Sequence, residues 1–505
     1  MAFRELVTRA AIACGCVCFT PAAGDHKPLD WLEQGEPGAG HDWTRFGWDA
    51  GRSNASTDPT GITAANIASL RRQQVRLEGT VDASPIYLAG VSVDGVLRDV
   101  FFVTTTYGKT IAVDADEGSI LWTYTPPDYT TWAGSYQIVN ATPVADPDRE
   151  YIYSASPDGY IQKLAVEDGH AEWRSAITRL PQREKIASSL NYFNGHVVAT
   201  TGGYIGDRPP YQGHVALIDA ATGRIDHVWN SLCSDRPGLL DPRTCGGNLS
   251  AIWGRAGAVI DAETENMFVA TGNGPWDGRT DWGDATLVLS LDAQLRGNYT
   301  PSNTHELDRT DLDVGSTSPV LLGDGFVLQG GKDGRLRLLH QSQLLAAGAH
   351  QGGELQVVST PSGGGLFTAP AVFQAASGTW IVAADNGATA AWLFTGRLDE
   401  RWRNRSGGTS PVVADGLVYV YDPGGALNVY EAETGRTVAV VTCGPGHWNS
   451  PIVADGRIAL PEGTANAQRL EGVLDIWRLP AAERREGRRR LQSAAAGAGV
   501  HRTAK

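Results

Sequence analysis

Cysteine is scarce in this 505-residue chain, with only six in all, and its placement closes off several chemistries. Cys14, Cys16 and Cys18 crowd the N-terminus, leaving Cys233, Cys245 and Cys443 for the rest. No Cys-x-x-Cys-His run occurs, so covalent haem is not encoded, and no cysteine–histidine spacing suits a structural zinc. Cys233 and Cys245 bracket a loop containing Pro and Asp and could pair in an oxidising compartment, which would leave Cys443 as an odd, buried thiol. Positive charge is also short. The net charge of −14 argues against nucleic acid as a partner, because a phosphate backbone selects basic surfaces. The apolar run from Ala10 to Phe19 is too short to cross a bilayer, and no transmembrane span is expected in the mature chain. Amphipathic helix is scarce as well: Ser342 to Ala349 offers one or two turns at most.

The ends of the chain are compositionally distinct from its body. A basic start at Arg4 and Arg9, a short apolar centre and small residues before Asp25 resemble a secretory signal over residues 1–24. Such a signal implies a periplasmic or extracellular protein. A lipoprotein anchor on Cys14 is an alternative, although Ala11-Ile12-Ala13-Cys14 is a poor lipobox, and an unstructured cytoplasmic leader is the bland one. Residues 25–42 read as a linker. The stretch 481–505, with Arg484, Arg485 and Arg488 to Arg490, has too little apolar content to fold and reads as a basic disordered tail.

Between these ends the chain is rich in glycine, with 61 residues, and only 19% of its residues are charged. A small-residue–Pro step, an apolar strand, a Gly-containing turn and a second strand recur along it. Ser84-Pro85, Thr142-Pro143, Ser318-Pro319, Ala369-Pro370, Ser410-Pro411 and Ser450-Pro451 open six such units. The stretches around Val197 to Trp229 and Asn248 to Leu289 supply two more. Runs of β-formers separated by Asp-Gly, Asn-Gly or Thr-Gly turns are hairpin signals, and a spacing of about forty residues per unit suits one four-stranded blade. The expectation is an all-β chain: an eight-bladed β-propeller of four-stranded antiparallel blades over residues 43–480. Closure requires a device against a free edge, and Gln74-Val75-Arg76-Leu77 is placed to add a strand to the last blade, Asp455 to Trp477.

The units end in a further pattern, seen at Ile218-Asp219-Ala220-Ala221-Thr222-Gly223 to Trp229, at Val113-Asp114-Ala115-Asp116-Glu117-Gly118 to Trp122, and at Tyr430-Glu431-Ala432-Glu433-Thr434-Gly435. This is similar to the tryptophan-docking repeat of the pyrroloquinoline quinone (PQQ) propeller proteins. That family contains quinoprotein alcohol dehydrogenases and also a non-catalytic lipoprotein of the outer-membrane barrel-assembly machinery. The resemblance implies that Trp122, Trp173 and Trp229 are docking residues. Two functions follow from it: a PQQ-dependent dehydrogenase acting on a small-molecule alcohol or sugar hydroxyl, or a cell-envelope scaffold that binds another protein.

Aligning the repeats internally puts Asp82, Asn140, Asp313, Thr317, Thr409 and Asn449 just ahead of the first strands, facing one end of the channel. Trp253, Phe367 and Trp448 are expected as flat walls. By resemblance, Trp253 stacks under the quinone, Asp82 contacts the cofactor, and Lys332 stands beside the quinone oxygens. Asp313 is the catalytic aspartate. Asn273 and Asp313 fall where that family binds calcium. Two departures matter. The family's adjacent cysteines have no counterpart around Ser135 to Asn140, and Tyr204 stands where a glutamate metal ligand is expected, with Asp207 a substitute only if its loop bends back. Asp277, Asp281 and Asp284 lack EF-hand spacing and read as a surface turn. His447 reads as structural.

Overall fold

Short β-forming runs broken by glycine turns fold back on their predecessors. The computed structural model, which describes residues 41–480, arranges them as eight four-stranded antiparallel sheets, the blades of a β-propeller. The expected signal, most of the linker and the C-terminal tail lie outside the described residues. Blade two is typical, running through Val144–Ala145, Tyr151–Ser156, Tyr160–Ala165 and Ala171–Ala176. The inner strands are buried on both faces because each sheet is sandwiched between neighbours, whereas the last strand is partly exposed. Among the described residues α-helix is confined to Thr304–Thr310 ahead of blade five and one turn, Gln341–Leu344, within it.

The ring closes as expected. Arg71–Leu77 pairs antiparallel with Gly472–Arg478, from Arg71 opposite Arg478 to Leu77 opposite Gly472. Blade eight is therefore built from both ends of the propeller, which leaves no open edge at the seam. Arg72 fastens it, 2.7 Å from Asp475 and 2.8 Å from Glu462.

Tryptophan docking joins successive blades. Trp122 donates its indole N–H to the Val166 carbonyl at 2.9 Å, Trp173 to Ala220 at 3.1 Å, and Trp402 to Ala432 at 2.9 Å. Each ring covers the turn glycine of the next blade. A Cβ would lie 2.6 Å from Trp122 at Gly169, 2.7 Å from Trp173 at Gly223 and 2.5 Å from Trp402 at Gly435. Glycine is required at these turns twice over, by that contact and by positive φ. Trp229 is buried at the interface of blades three and four, with its N–H unpartnered among the described residues.

The two ends of the ring differ. Residues 43–60 lie against the first strands of five blades, through backbone bonds to Tyr87, Ala145, Ile260, Val372 and Val413, and bond to Gly456 just beyond the first strand of blade eight. Trp43 and Phe46 are buried in this plug. Asp42, at the edge of the expected linker, is anchored 2.7 Å from Arg149. At the other end the entry segments bond to one another around the ring. Ser84 N–H donates to the Thr142 hydroxyl, Leu190 N–H to the Thr142 carbonyl, Ser189 N–H to the Arg255 carbonyl, and Ala369 N–H to the Ser410 hydroxyl. Side chains just ahead of the first strands thus face a pocket blocked from behind.

Cys233 and Cys245 form a disulfide with Cα atoms 6.1 Å apart, within the range a bridge needs. Cys443 is buried and free, its thiol pushed up to about 12 by burial and by nearby carboxylates. It is therefore a poor nucleophile.

If docking carries the blade interfaces, Trp402→Ala should destabilise the protein by about 3 kcal/mol. The check is its denaturation midpoint against that of the parent chain.

Candidate functional site

The segment Ser250 to Arg255 enters blade four and brings Trp253 to the pocket. Its indole N–H donates to Asp313 Oδ2 at 3.0 Å. Asp313 precedes the single helical turn Val314–Ser316, which packs with Gly315 against the backbone of Thr271 and Gly272. A Cβ at Gly272 would lie 2.7 Å from Asp313 Oδ2 and 3.1 Å from Trp253 Nε1, so the pair needs a glycine there. Lys332 Nζ lies 3.0 Å from Asp313 Oδ1, 2.8 Å from Asp311 Oδ1 and 5.4 Å from the Trp253 ring centre. Indole, carboxylate and ammonium, from blades four and five, share one corner.

A chain of rings carries this corner across the pocket. Phe367 lies 6.1 Å from Trp253 and 5.9 Å from Trp448, and Trp448 lies 4.8 Å from His447, centre to centre. Asp82 closes the far side. It is buried and accepts from His447 Nδ1 at 2.9 Å, Trp448 N–H at 2.7 Å and Ala465 N–H at 2.9 Å. Asp82, Trp253, Asp313, Lys332 and Trp448 therefore meet, through Phe367, in one connected cluster. Asn273 stands beside it: its carbonyl accepts from Ser250 N–H at 2.7 Å, and its side-chain amide has no hydrogen bond among the described residues. His447, read as structural, instead lines the pocket on Asp82. Asn140 and Asn449 also reach the blade-one entry, donating to the Asp82 and Val81 carbonyls.

Burial sets the protonation of these groups. It pushes Asp313 up to about 6, against the pull of Lys332 and with help from Asp311. Burial works against the Lys332 ammonium, but the two carboxylates prevail and hold it above the usual lysine range. Burial likewise opposes the Asp82 carboxylate and is outweighed by His447, by Arg255 and by the Ala465 N–H, so Asp82 lies below the usual range.

Three residues of this region were not assigned to the site from sequence. Asp284, read as part of a surface turn, is fully buried. Its Oδ1 accepts from Val314 N–H at 3.0 Å, its Oδ2 is unpartnered among the described residues, and burial with Asp313 nearby pushes it to about 8. Asp277 does cap an exposed turn, accepting from the N–H groups of Arg279, Thr280 and Asp281. Arg255, two residues past Trp253, is buried at the hub. It donates to the Asn140, Ala187, Asp82 and Trp448 carbonyls at 3.1, 3.3, 3.4 and 3.4 Å. Lys185 is the third. The sequence signal for Arg255 is a charge within an otherwise small or apolar entry segment, whereas Lys185 stands in a charged run that looks solvated.

These residues suit a flat, anionic ligand: an indole face, glycine-lined walls and ammonium and guanidinium groups. A hard cation is served less well. Among the described residues no group of three or more His, Cys, Asp or Glu side chains could hold a metal ion. The expected third ligand is not supplied, because the Tyr204 hydroxyl donates to the Pro181 carbonyl at 2.9 Å and Asp207 accepts from Tyr211 at 2.8 Å. In place of adjacent cysteines, Trp132, Ile138, Tyr107 and Tyr204 pack with Ala465, beside Asp82. A surface groove of about 970 Å³ lies instead on outer strands around Asp226, Trp229 and Arg236 and contains none of the predicted residues. Arg255→Met would leave several hub carbonyls unpaired and is expected to cost about 3 kcal/mol or more, measured by denaturation, with Arg255→Lys recovering part of the loss.

Comparison with known proteins agrees with this architecture. Residues 63–237 match the family model described as outer membrane protein assembly factor BamB. A quinohemoprotein alcohol dehydrogenase of Comamonas testosteroni is 26% identical over 307 residues, 56% of this chain but 41% of that relative. The chain thus spans less than half the length of that curated relative. Its crystal structure superposes with a TM-score of 0.64 at 18% identity, covering 90% of this chain and 82% of that one. A europium-containing methanol dehydrogenase gives 0.65 at 16% identity, covering 89% and 100%. BamB from Moraxella catarrhalis gives 0.51 at 12% identity, covering 81% and 98%. With its docking tryptophans and closed ring, the chain is an eight-bladed propeller similar to PQQ-repeat, quinoprotein alcohol dehydrogenase-like proteins.

Proposed function

We propose that this propeller is an exported PQQ-dependent dehydrogenase that oxidises an alcohol or sugar hydroxyl. The observation that carries the reading is the direct contact of Trp253, Asp313 and Lys332 at one corner of a pocket closed from behind. PQQ would supply the acceptor for the two electrons and hydrogen leaving the carbinol carbon. Trp253 offers it a flat floor, and Lys332 sets a positive charge where negative charge develops on a ligand oxygen. Asp313, oriented by the indole N–H and the ammonium, accepts the hydroxyl proton of the substrate once it is ionised. Phe367 and Trp448 continue the aromatic lining from Trp253, an apolar surround that strengthens each of these charges. No step is assigned to calcium, since the donors present do not complete a site for it. Export is part of the proposal and is supported by the signal-like composition of residues 1–24. Among the described residues no helix is long and apolar enough to cross a membrane.

The family match over residues 63–237 favours a second reading, a cell-envelope scaffold that binds another protein. Titration of the purified chain with PQQ, with and without calcium, separates the two. The dehydrogenase reading expects saturable quenching of tryptophan fluorescence and reduction of an artificial acceptor with alcohols. It also expects that Asp313→Asn keeps PQQ binding and loses turnover by about a hundredfold or more. Failure to bind PQQ, with no turnover across a broad panel of alcohols and sugars, overturns it. Capture of an envelope partner that Asp313→Asn leaves unchanged would then support the scaffold.

A further inference from the structure

Lys185 lies close to the hub, and among the described residues its side chain makes no hydrogen bond or ion pair. Its placement is set by a two-residue ribbon in which Glu184–Lys185 pairs with Gly202–Gly203, Lys185 opposite Gly202. Residues directly opposite in an antiparallel pair project to the same face. A Cβ at Gly202 would lie 3.1 Å from the Ala251 Cβ and 3.3 Å from the Trp253 Cβ, so the face carrying Lys185 is the one turned toward Trp253. The other face is locked in the core. There Glu184 is fully buried, hydrogen-bonded to His214 at 3.1 Å and to Gln212 N–H at 3.2 Å, while Gly203 lies against the Tyr211 ring.

Two cations thus stand over one anion. Asp82 draws on Lys185 and Arg255 repels it, but the Asp82 oxygens are already taken by His447 and two backbone N–H groups. Arg255 spends its donors on carbonyls, which carry no full charge. Burial accordingly pushes Lys185 down to about 8. Holding an ammonium there without a counter-ion is costly, and a ligand carboxylate would remove that cost.

We propose that Lys185, with Arg255 behind it, is the carboxylate anchor of the pocket, gripping the end of an anionic, planar ligand opposite the end that meets Lys332. The inference rests on the dehydrogenase reading for the identity of the ligand, PQQ, but not for its charge. Asp82, Arg255 and His447 are the charged or titratable groups that face the anchor, and Glu184 and His214 lie on the far side of the ribbon.

The test is equilibrium titration of the full chain and of Lys185→Met with PQQ and with 1,2,4-benzenetricarboxylate, a redox-inert aromatic polycarboxylate. The variant should bind both about tenfold more weakly, the loss of one charge-assisted contact. Lys185→Arg should restore most of the affinity. Parent affinity should fall as pH rises past about 8, where Lys185 loses its proton, and the Met variant should lack that decline. Because the folded-state lysine lies below its unfolded value, its charged form costs stability at neutral pH, and this cost disappears as pH rises toward the ordinary lysine range. Lys185→Met should therefore melt no lower than the parent at pH 7, which separates weakened binding from misfolding. Equal PQQ affinity in parent and variant overturns the anchor and leaves the dehydrogenase reading standing. Lys185-dependent binding of the tricarboxylate without PQQ binding keeps the anchor and removes that reading. Binding of neither ligand removes both.

Discussion

The Arg255 guanidinium sits where the entry segments of the ring converge, and both fold and site depend on it. It reaches carbonyls ahead of blades one, two, three and eight while itself belonging to the entry of blade four. Strand-entry segments at a propeller axis have no neighbouring strand to satisfy their carbonyls, and buried carbonyls left unpaired are costly. A planar group with five donors can serve several of them at once, which a lysine cannot do in the same geometry. The desolvation this demands is visible in the guanidinium itself, held down to about 10 mainly by burial and only partly relieved by Asp82.

That constraint reaches the chemistry through a short piece of chain. Trp253 lies two residues before Arg255, so fixing the guanidinium fixes the indole, and the indole in turn orients Asp313. Arg255 also lies 5.7 Å over the Trp448 ring, whose backbone N–H holds Asp82. The pocket is thereby divided into two electrostatic halves. At one, Asp313, Asp311 and buried Asp284 surround a single ammonium, Lys332. At the other, Lys185 and Arg255 surround a single carboxylate that is already saturated. A flat dianion or trianion bridging them would find cations at both ends, and at the second end the one acid is already saturated.

Much of this was legible because it repeats. Docking tryptophans with a glycine turn recur in several blades, and a periodic signal survives the irregularity of any single copy. The small-residue–Pro steps located Asp82, Asn140 and Asn449 near the axis for the same reason. The closing strand was visible because Gln74 to Leu77 alternates and the last unit lacked a partner. What does not repeat was hidden. Asp284 sits in a run of Asp and Gly indistinguishable by composition from the exposed turn at Asp277, and it is buried only because the turn after Asp313 packs across it. Lys185 stands in an Arg183-Glu184-Lys185 run that looks solvated, yet Glu184 is drawn into the core by His214. The ribbon that exposes one of the pair to the pocket is two residues long, too short to leave a period.

The amino-acid sequence by itself determined the all-β class, the number of blades, the way the ring closes and the family resemblance, since each of these is written in local periodicity and turn chemistry. Only the tertiary structure decided which charges are buried together: that Asp313 lies between Trp253 and Lys332, that His447 belongs to Asp82, and that Arg255 and Lys185 share the hub. Burial and charge pairing depend on distances between residues far apart in the chain, as with Asp82 and His447, and those distances exist only once the ring has closed.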